Sequence, residues 1–477
     1  MKNKFGNIDL TSGKIWKVLI LFAIPILLSS LLNNAFSLIN SLILKETVGG
    51  DAVTSVNSTA SLSSILFQFA YGCTSGFAVI CSNRKGKQDL DGTRKAFLVS
   101  LILSVIIGLI ITTIGLVSLD SLLRILNINE IFIPGAKNYF NLMLIFFVVI
   151  LLSNMISNFL RAIGNSFITL IISIFSTIIN VGMAYLLTGV IKLDTRGVAI
   201  ATITSHLFIF VASFVYLYVR HKEYRFKLSD FKNENKTYLD ALKIGLPLGF
   251  QWSILFIGSF IQNSQINKFG PYAQNGVTCY SNFEGYLTIP ISVLSTALLD
   301  FVGQNYGAKK YDRLKNGIKF NICLVFCVYL LILAIGLPLV NYVPYIFLPK
   351  SQLSDPLIKQ KIFFYCSSYL WFVIPALIFQ GLLTTFRSSL QGIKKSLWPF
   401  FSGIGELGAR SLVCFTFPTL FNPSNPLSYI SYRGLCLSTP LAWIVSTVIM
   451  GAAVYYFIFS KKHGLKIEST NSITNKE

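Results

Sequence analysis

Arg220-His-Lys-Glu-Tyr-Arg-Phe-Lys-Leu-Ser-Asp-Phe-Lys-Asn-Glu-Asn-Lys236 is a polar interruption in the middle of an almost continuously apolar chain. A bilayer core of ~30 Å needs about 20 apolar residues as a helix, and both sides of the interruption offer such runs. Before it they fall near 17–43, 53–83, 95–118, 133–160, 167–189 and 196–219. After it they fall near 238–268, 276–303, 317–346, 360–386, 396–420 and 430–458. The fold class is therefore an all-α polytopic membrane protein with twelve transmembrane helices in two six-helix bundles. Spans as long as 53–83 can tilt or protrude. The first run exceeds a signal-peptide h-region and lacks a small-residue cleavage site, so it reads as a retained helix.

Composition agrees. Of 477 residues, 53% are hydrophobic and only 12% charged, with a mean hydropathy of +0.65. A soluble globular domain carries roughly 25% charged residues. A disordered basic segment would lack the 14% of aromatic residues found here. The few charges nevertheless sum to +21, and their positions explain why. With the N-terminus inside, one side collects Lys2, Lys4, Lys14, the 84–95 loop, 220–236, 309–319, Lys394, Lys395 and 461–476. That is about 28 of the 40 Lys and Arg against about 10 on the other side, a positive-inside pattern. The expectation is a multi-pass protein of the plasma membrane, both termini cytoplasmic, whose charge sets orientation and does not bind nucleic acid. The expected divisions are a cytoplasmic segment 1–16, a bundle 17–220, a cytoplasmic linker 221–237, a bundle 238–458 and a cytoplasmic tail 459–477. Most of the eight cysteines sit in apolar runs as small hydrophobes. No HExxH, P-loop or GxSxG occurs, so neither an enzyme nor a metal site is expected.

The two halves repeat. Lys17 and Pro25 sit in KVLILFAIP, and Lys243 and Pro247 sit in KIGLP, which puts the prolines 222 residues apart. Ser82-Asn-Arg-Lys-Gly-Lys-Gln-Asp89 aligns with Gly303-Gln-Asn-Tyr-Gly-Ala-Lys-Lys310, Gly86 on Gly307, at an offset of 221. Ser166 with Ser396, Asn180 with Glu406 and Gly197 with Gly434 continue the series. Six spans per half make the repeats parallel, related by a pseudo-twofold axis along the membrane normal. Secondary transporters are built this way, with substrate between the halves and access alternating by rocking.

Intramembrane charge is costly and marks function. The N-terminal spans carry no acid, whereas the C-terminal ones carry Glu284, Asp300 and Glu406. Glu284 is the coupling or cation-recognition candidate, with a hydrogen-bonded structural acid as the alternative. Glu406 and Arg410, four apart, share a helix face and can pair as a packing contact or a gated ion pair. Asp300, near the inner end of its span, reads as an interfacial or gate contact. Asn33, Asn34, Ser37 and Asn40 recur at three- and four-residue spacing and give the first helix a polar stripe. Gln68, Tyr71, Asn154, Asn158, Gln251, Gln262 and Asn263 add polar groups for a substrate cavity, interhelical hydrogen bonds being the alternative. Pro25 and Pro247 kink their spans and are candidate bends for gating.

Phe301-Val-Gly-Gln-Asn-Tyr-Gly-Ala-Lys-Lys-Tyr-Asp-Arg313 resembles the multidrug and toxic compound extrusion (MATE) family of efflux transporters. So do Asp9-Leu-Thr-Ser-Gly-Lys-Ile-Trp16 with Pro25, Leu160-Arg-Ala-Ile-Gly-Asn-Ser166, Leu390-Gln-Gly392, Ser402-Gly-Ile-Gly-Glu-Leu-Gly-Ala-Arg410 and Pro440-Leu-Ala-Trp443. The resemblance implies a V of two bundles that exports amphipathic, often cationic compounds in exchange for Na⁺ or H⁺, with no other cofactor, as a monomer in the bilayer. It also implies an N-terminal cation site, matched here by Asn40, Asn180 and Thr202. Two of that site's carboxylates are replaced, by Asn40 and by Ala184, and acids that some members carry in the seventh and tenth helices are matched by Leu255 and Leu383. The expected function is cation/drug antiport. One alternative is a lipid-linked saccharide flippase, disfavoured by a cavity face read as lacking Arg and Lys. The other is a non-transporting scaffold or receptor that lost coupling.

Overall fold

The structure, a computed structural model, describes residues 8–125, 130–231, 234–348 and 355–465. The expected end segments 1–16 and 459–477 lie partly outside these. Within a bilayer every backbone N–H and C=O must be satisfied inside its own segment, so apolar runs become helices. The first half comprises α1 (Ile15–Thr47), α2 (Gly50–Ser58) with α3 (Ala60–Gly86), α4 (Leu90–Ile125), α5 (Ile133–Ile145) with α6 (Phe147–Ala162), α7 (Ser166–Tyr185) and α8 (Asp194–Arg220). The second comprises α9 (Asn235–Asn267), α10 (Pro271–Gly307), α11 (Tyr311–Leu339), the short α12 (Val343–Phe347), α13 (Pro356–Gly392), α14 (Leu397–Phe421), and α15 (Tyr429–Cys436) with α16 (Ser438–Val454).

Among the described residues ten helical segments are long and apolar enough to cross a membrane, and the bent pair α5–α6 makes eleven. The twelfth is α14, whose 25 residues reach about 37 Å at ~1.5 Å each while carrying Glu406 and Arg410. Two spans take a form that hydropathy did not indicate. The second is broken at Thr59, whose hydroxyl donates to the Val56 carbonyl at 2.9 Å. The fourth bends by 53° between α5 and α6. No proline marks that bend; the run Phe146-Phe147-Val148-Val149 supports a helix only weakly.

The halves meet along α3, which packs on α9 and α10, and along α1 against α10. The closest approach is reciprocal. A Cβ at Gly86 would stand 1.9 Å from the Gln304 carbonyl oxygen, and one at Gly307 would stand 1.9 Å from that of Asn83. Residues 83 and 304, like 86 and 307, are equivalents at the 221-residue offset, so the contact is self-complementary, as across a two-fold axis. Only glycine permits backbones this near.

Around the glycines the two halves are stitched together. Ser82 Oγ donates to the Asp300 carbonyl at 3.1 Å, Asn83 Nδ2 to Gly392 at 3.1 Å and Gln304 Nε2 to Ala162 at 2.7 Å. The segment before α1 adds to the seal: Asn305 Nδ2 donates to the Leu10 carbonyl at 3.0 Å, and Arg313 donates to Gly13 at 2.6 Å and Ser12 at 2.7 Å. Arg84, Lys85, Lys310 and Arg313 lie here, and we call this the basic end. Toward the middle, Tyr71 and Thr296 hydroxyls meet at 3.3 Å. At the far end α2 packs on α1, α3, α5 and α8, all of its own half.

The connection between the halves is more than a polar tether. Arg94 at the start of α4 donates twice to Asp230, at 2.6 and 2.9 Å, and both side chains are buried. Those bonds from Arg94 hold the Asp230 carboxyl below the usual aspartate range. Tyr224 is fully buried, its ring edge against Phe159.

Candidate functional site

Two polar regions lie within the bundles, one in each half. In the first, α1 and α7 run side by side, and just beyond the end of α7 Thr47 donates to Thr188 at 2.8 Å. Asn40 lies seven residues before Thr47 and Asn180 eight before Thr188, so both sit about 10–12 Å further down, at one depth. Both are buried, and each has a side-chain carbonyl oxygen without a hydrogen-bond partner. Asn180 Nδ2 makes a 3.4 Å contact with Ser205 Oγ. Thr202 is half-buried, its hydroxyl donating to the Val198 carbonyl at 2.9 Å. A buried, unmade acceptor is costly, and neutral amide oxygens can ligate a hard cation, though without the charge a carboxylate brings. Ala184 is buried and adds no oxygen.

The second region is charged. Glu406 on α14 holds two arginines: Arg387 Nη2 of α13 at 2.7 Å and Arg410 Nη2 at 3.1 Å. All three are buried. Arg410 also reaches Ser259 Oγ and Gln262 Oε1, each at 3.3 Å, and Gln262 accepts from Thr439 at 3.0 Å. Glu284 is half-buried on α10, beside the Tyr369 hydroxyl and within the field of Arg410. Tyr369 stacks on Tyr280 at 3.7 Å and its hydroxyl meets Thr439 at 3.1 Å. Two carboxyl groups and two guanidinium groups from α10, α13 and α14 thus share one network.

Between these regions, Asn158 donates to Thr74 Oγ1 at 2.9 Å and accepts from Arg161. Tyr71 sets its ring edge on Trp252 at 5.7 Å, and Gln391 donates to Gln251 at 3.3 Å. Gln68 is half-buried. Asp300 is buried at the basic end, within the field of Arg161. The rest of the expected set is not drawn together. Asn33 and Asn34 are exposed, Asn34 bonding back to the Ser30 carbonyl at 2.9 Å, and Asn263 is exposed too. The Ser37 side chain lies outside the described residues.

The MatE family model matches this chain twice, over residues 25–186 and 247–416. The chain belongs to the MatE family. The two matches begin at Pro25 and Pro247, the prolines of the internal repeat. Among relatives, the probable multidrug resistance protein YpnP of Bacillus subtilis (strain 168) is 27% identical over 64% of this chain and 68% of its own length. The FAD transporter of Shewanella oneidensis is 22% identical over 96% of each chain. Solved structures share the fold. An outward-facing MATE-family transporter superposes with a TM-score of 0.83 at 20% identity, covering 95% of this chain and 98% of that one. A transporter from Pyrococcus furiosus, described as having a binding pocket of reverse polarity, gives 0.84 at 20% identity, covering 95% and 99%. MatE proteins are membrane transporters, and this chain is a multi-pass transporter and not an enzyme.

Three features of this MatE chain were missed in the sequence. Arg387 completes the ion-pair triad and, with Arg161 beside Asn158, corrects the expectation of a cavity face lacking Arg and Lys. Its partner is 19 residues away on another helix, beyond the i,i+4 spacing that exposed Arg410. His206 lies on α8, with Nδ1 2.8 Å from Ser153 Oγ; an intramembrane histidine was the available signal. Ser396 answers a proline: Pro247 frees the Lys243 carbonyl, and Ser396 Oγ donates to it at 3.0 Å. Its counterpart in the first half, Ser166, has a buried hydroxyl without a partner.

Proposed function

We propose that this protein is a secondary active multidrug exporter, exchanging Na⁺ or H⁺ for amphipathic, often cationic compounds by alternating access. One observation carries the reading: two equivalent bundles joined through a self-complementary glycine contact at one end. Positive-inside orientation makes the basic end cytoplasmic, so the seal closes the cytoplasmic side and substrate leaves from the other. The protein acts as a monomer in the plasma membrane, both termini inside. The multidrug resistance name of the Bacillus relative supports the substrate class.

Coupling centres on Glu284. With both glutamates ionised the cluster of Glu284, Glu406, Arg387 and Arg410 sums to zero. A proton on Glu284 leaves one net positive charge, which repels an organic cation and drives its release. Asn40, Asn180 and Thr202 offer neutral oxygens, a set better suited to assisting a cation's passage than to holding one alone.

Efflux of a fluorescent organic cation from proteoliposomes, under imposed Na⁺ or H⁺ gradients, tests this. A tenfold gradient, about 1.4 kcal/mol per ion, should accelerate efflux by up to about tenfold, and Glu284→Gln should remove that acceleration. Gradient-independent efflux would sink antiport, and an unchanged variant would sink the role of Glu284. Buried Arg387 and Arg410, with half-buried Arg161, favour a second reading, carriage of a diphosphate-bearing substrate such as a lipid-linked saccharide. Inhibition by a lipid diphosphate, without transport of the cation, would select it.

A further inference from the structure

A cavity of about 820 Å³ opens at the basic end, between the first turns of α9 and the connection from α13 to α14. It belongs to neither polar region described above. Lys243, Lys394 and Lys395 line it, with Asp240 the acid among them. The rest of the lining is largely apolar, Leu246, Leu397 and Trp398 among it. Leu397 and Trp398 are 55% and 41% exposed at the very start of α14, where an indole marks the level of the lipid headgroups. The cavity therefore faces both the basic surface and the bilayer.

Its lysines are held in place. Lys394 has φ +66°, a left-handed conformation that side chains avoid, and the equivalent turn of the first half fills this position with Gly164, φ +96°. Burial lowers the Lys394 ammonium below the usual lysine range; Asp240 opposes this, while nearby Lys87, Arg84 and Lys236 reinforce it. Lys395 is pinned with its ammonium 5.0 Å over the Phe457 ring. The hydrogen bond from Ser396 to the Lys243 carbonyl joins the turn before α14 to α9 at 3.0 Å. Positive charge is thus concentrated in a preformed pocket with too few acids to neutralise it.

We propose that this cavity binds an anionic phospholipid, its phosphate on Lys243, Lys394 and Lys395 and its acyl chains running past Leu246 and Trp398 into the bilayer. Charge complementarity selects an anion, and the open apolar lining selects one with a hydrocarbon tail. The site spans Pro247 of α9 and the turn into α14, so an occupant ties together two elements of the second half.

The test measures thermal unfolding of the full-length protein in nanodiscs of phosphatidylcholine, with phosphatidylglycerol or inorganic phosphate added, and counts retained lipids by native mass spectrometry. Phosphatidylglycerol should raise the melting temperature saturably, inorganic phosphate should not, and K394Q/K395Q should lose at least half of the rise and one retained lipid. Should that variant melt early in phosphatidylcholine alone, Lys395→Glu is read in its place. Equal effects of both lipids, a rise reproduced by inorganic phosphate, or a full response in the variant would each overturn the proposal.

Discussion

Glu406→Gln will destabilise the second bundle by about 3–5 kcal/mol, the usual cost of breaking a buried ion pair by removing one partner. The substitution leaves Arg387 and Arg410, both buried, facing an amide in place of a carboxylate. Arg387 has the least to fall back on, because its Nε already lacks a partner and its other contact is Ser402 Oγ at 3.3 Å. Thermal melting in detergent measures the effect. Replacing all three charged residues with apolar side chains of similar volume should recover most of that stability, since such swaps are often neutral or favourable. If transport survives the triple replacement, the triad serves packing alone; if it is lost in a stable protein, the charges serve transport.

Gly86→Leu will abolish transport while leaving the protein folded. Even a Cβ at this position would fall 1.9 Å from the Gln304 carbonyl oxygen and 2.9 Å from its Cα, so the basic end cannot close. Each half keeps its own packing, which confines the damage to the seal. A cysteine introduced at Ser82, a position buried against the Asp300 carbonyl of the other half, reports the change: a membrane-impermeant maleimide on the basic side should label it in the Gly86→Leu background and not where Gly86 is kept. Because the contact is reciprocal, Gly307→Leu should reproduce both results.

Local periodicity carried much of this architecture, and it failed where tertiary packing decides. Twelve apolar runs gave twelve helical spans, since length and hydropathy are properties of each run alone. The break at Thr59 and the bend at Phe146 have no Pro or Gly to announce them. Arg410 was legible as the partner of Glu406 because four residues make one helical turn, whereas Arg387 reaches the same carboxylate only through the packing of α13 on α14. The Asn33–Asn40 stripe identified a polar face without saying what it faces: Asn33 and Asn34 are exposed, while Asn40 is buried at the depth of Asn180. Gly86 and Gly307 were legible as equivalents through the repeat, but only the fold brings each against the other's helix.

The central claim is that the two halves must part at the basic end in every transport cycle. A Cβ at residue 303 would stand 3.1 Å from that of Ser82, near the separation that a disulfide spans. Ser82→Cys with Gly303→Cys therefore allows the seal to be locked by oxidation and released by reductant. We predict that the oxidised protein moves no substrate in proteoliposomes and that reduction restores the rate. Transport at an undiminished rate with the crosslink complete would contradict the account.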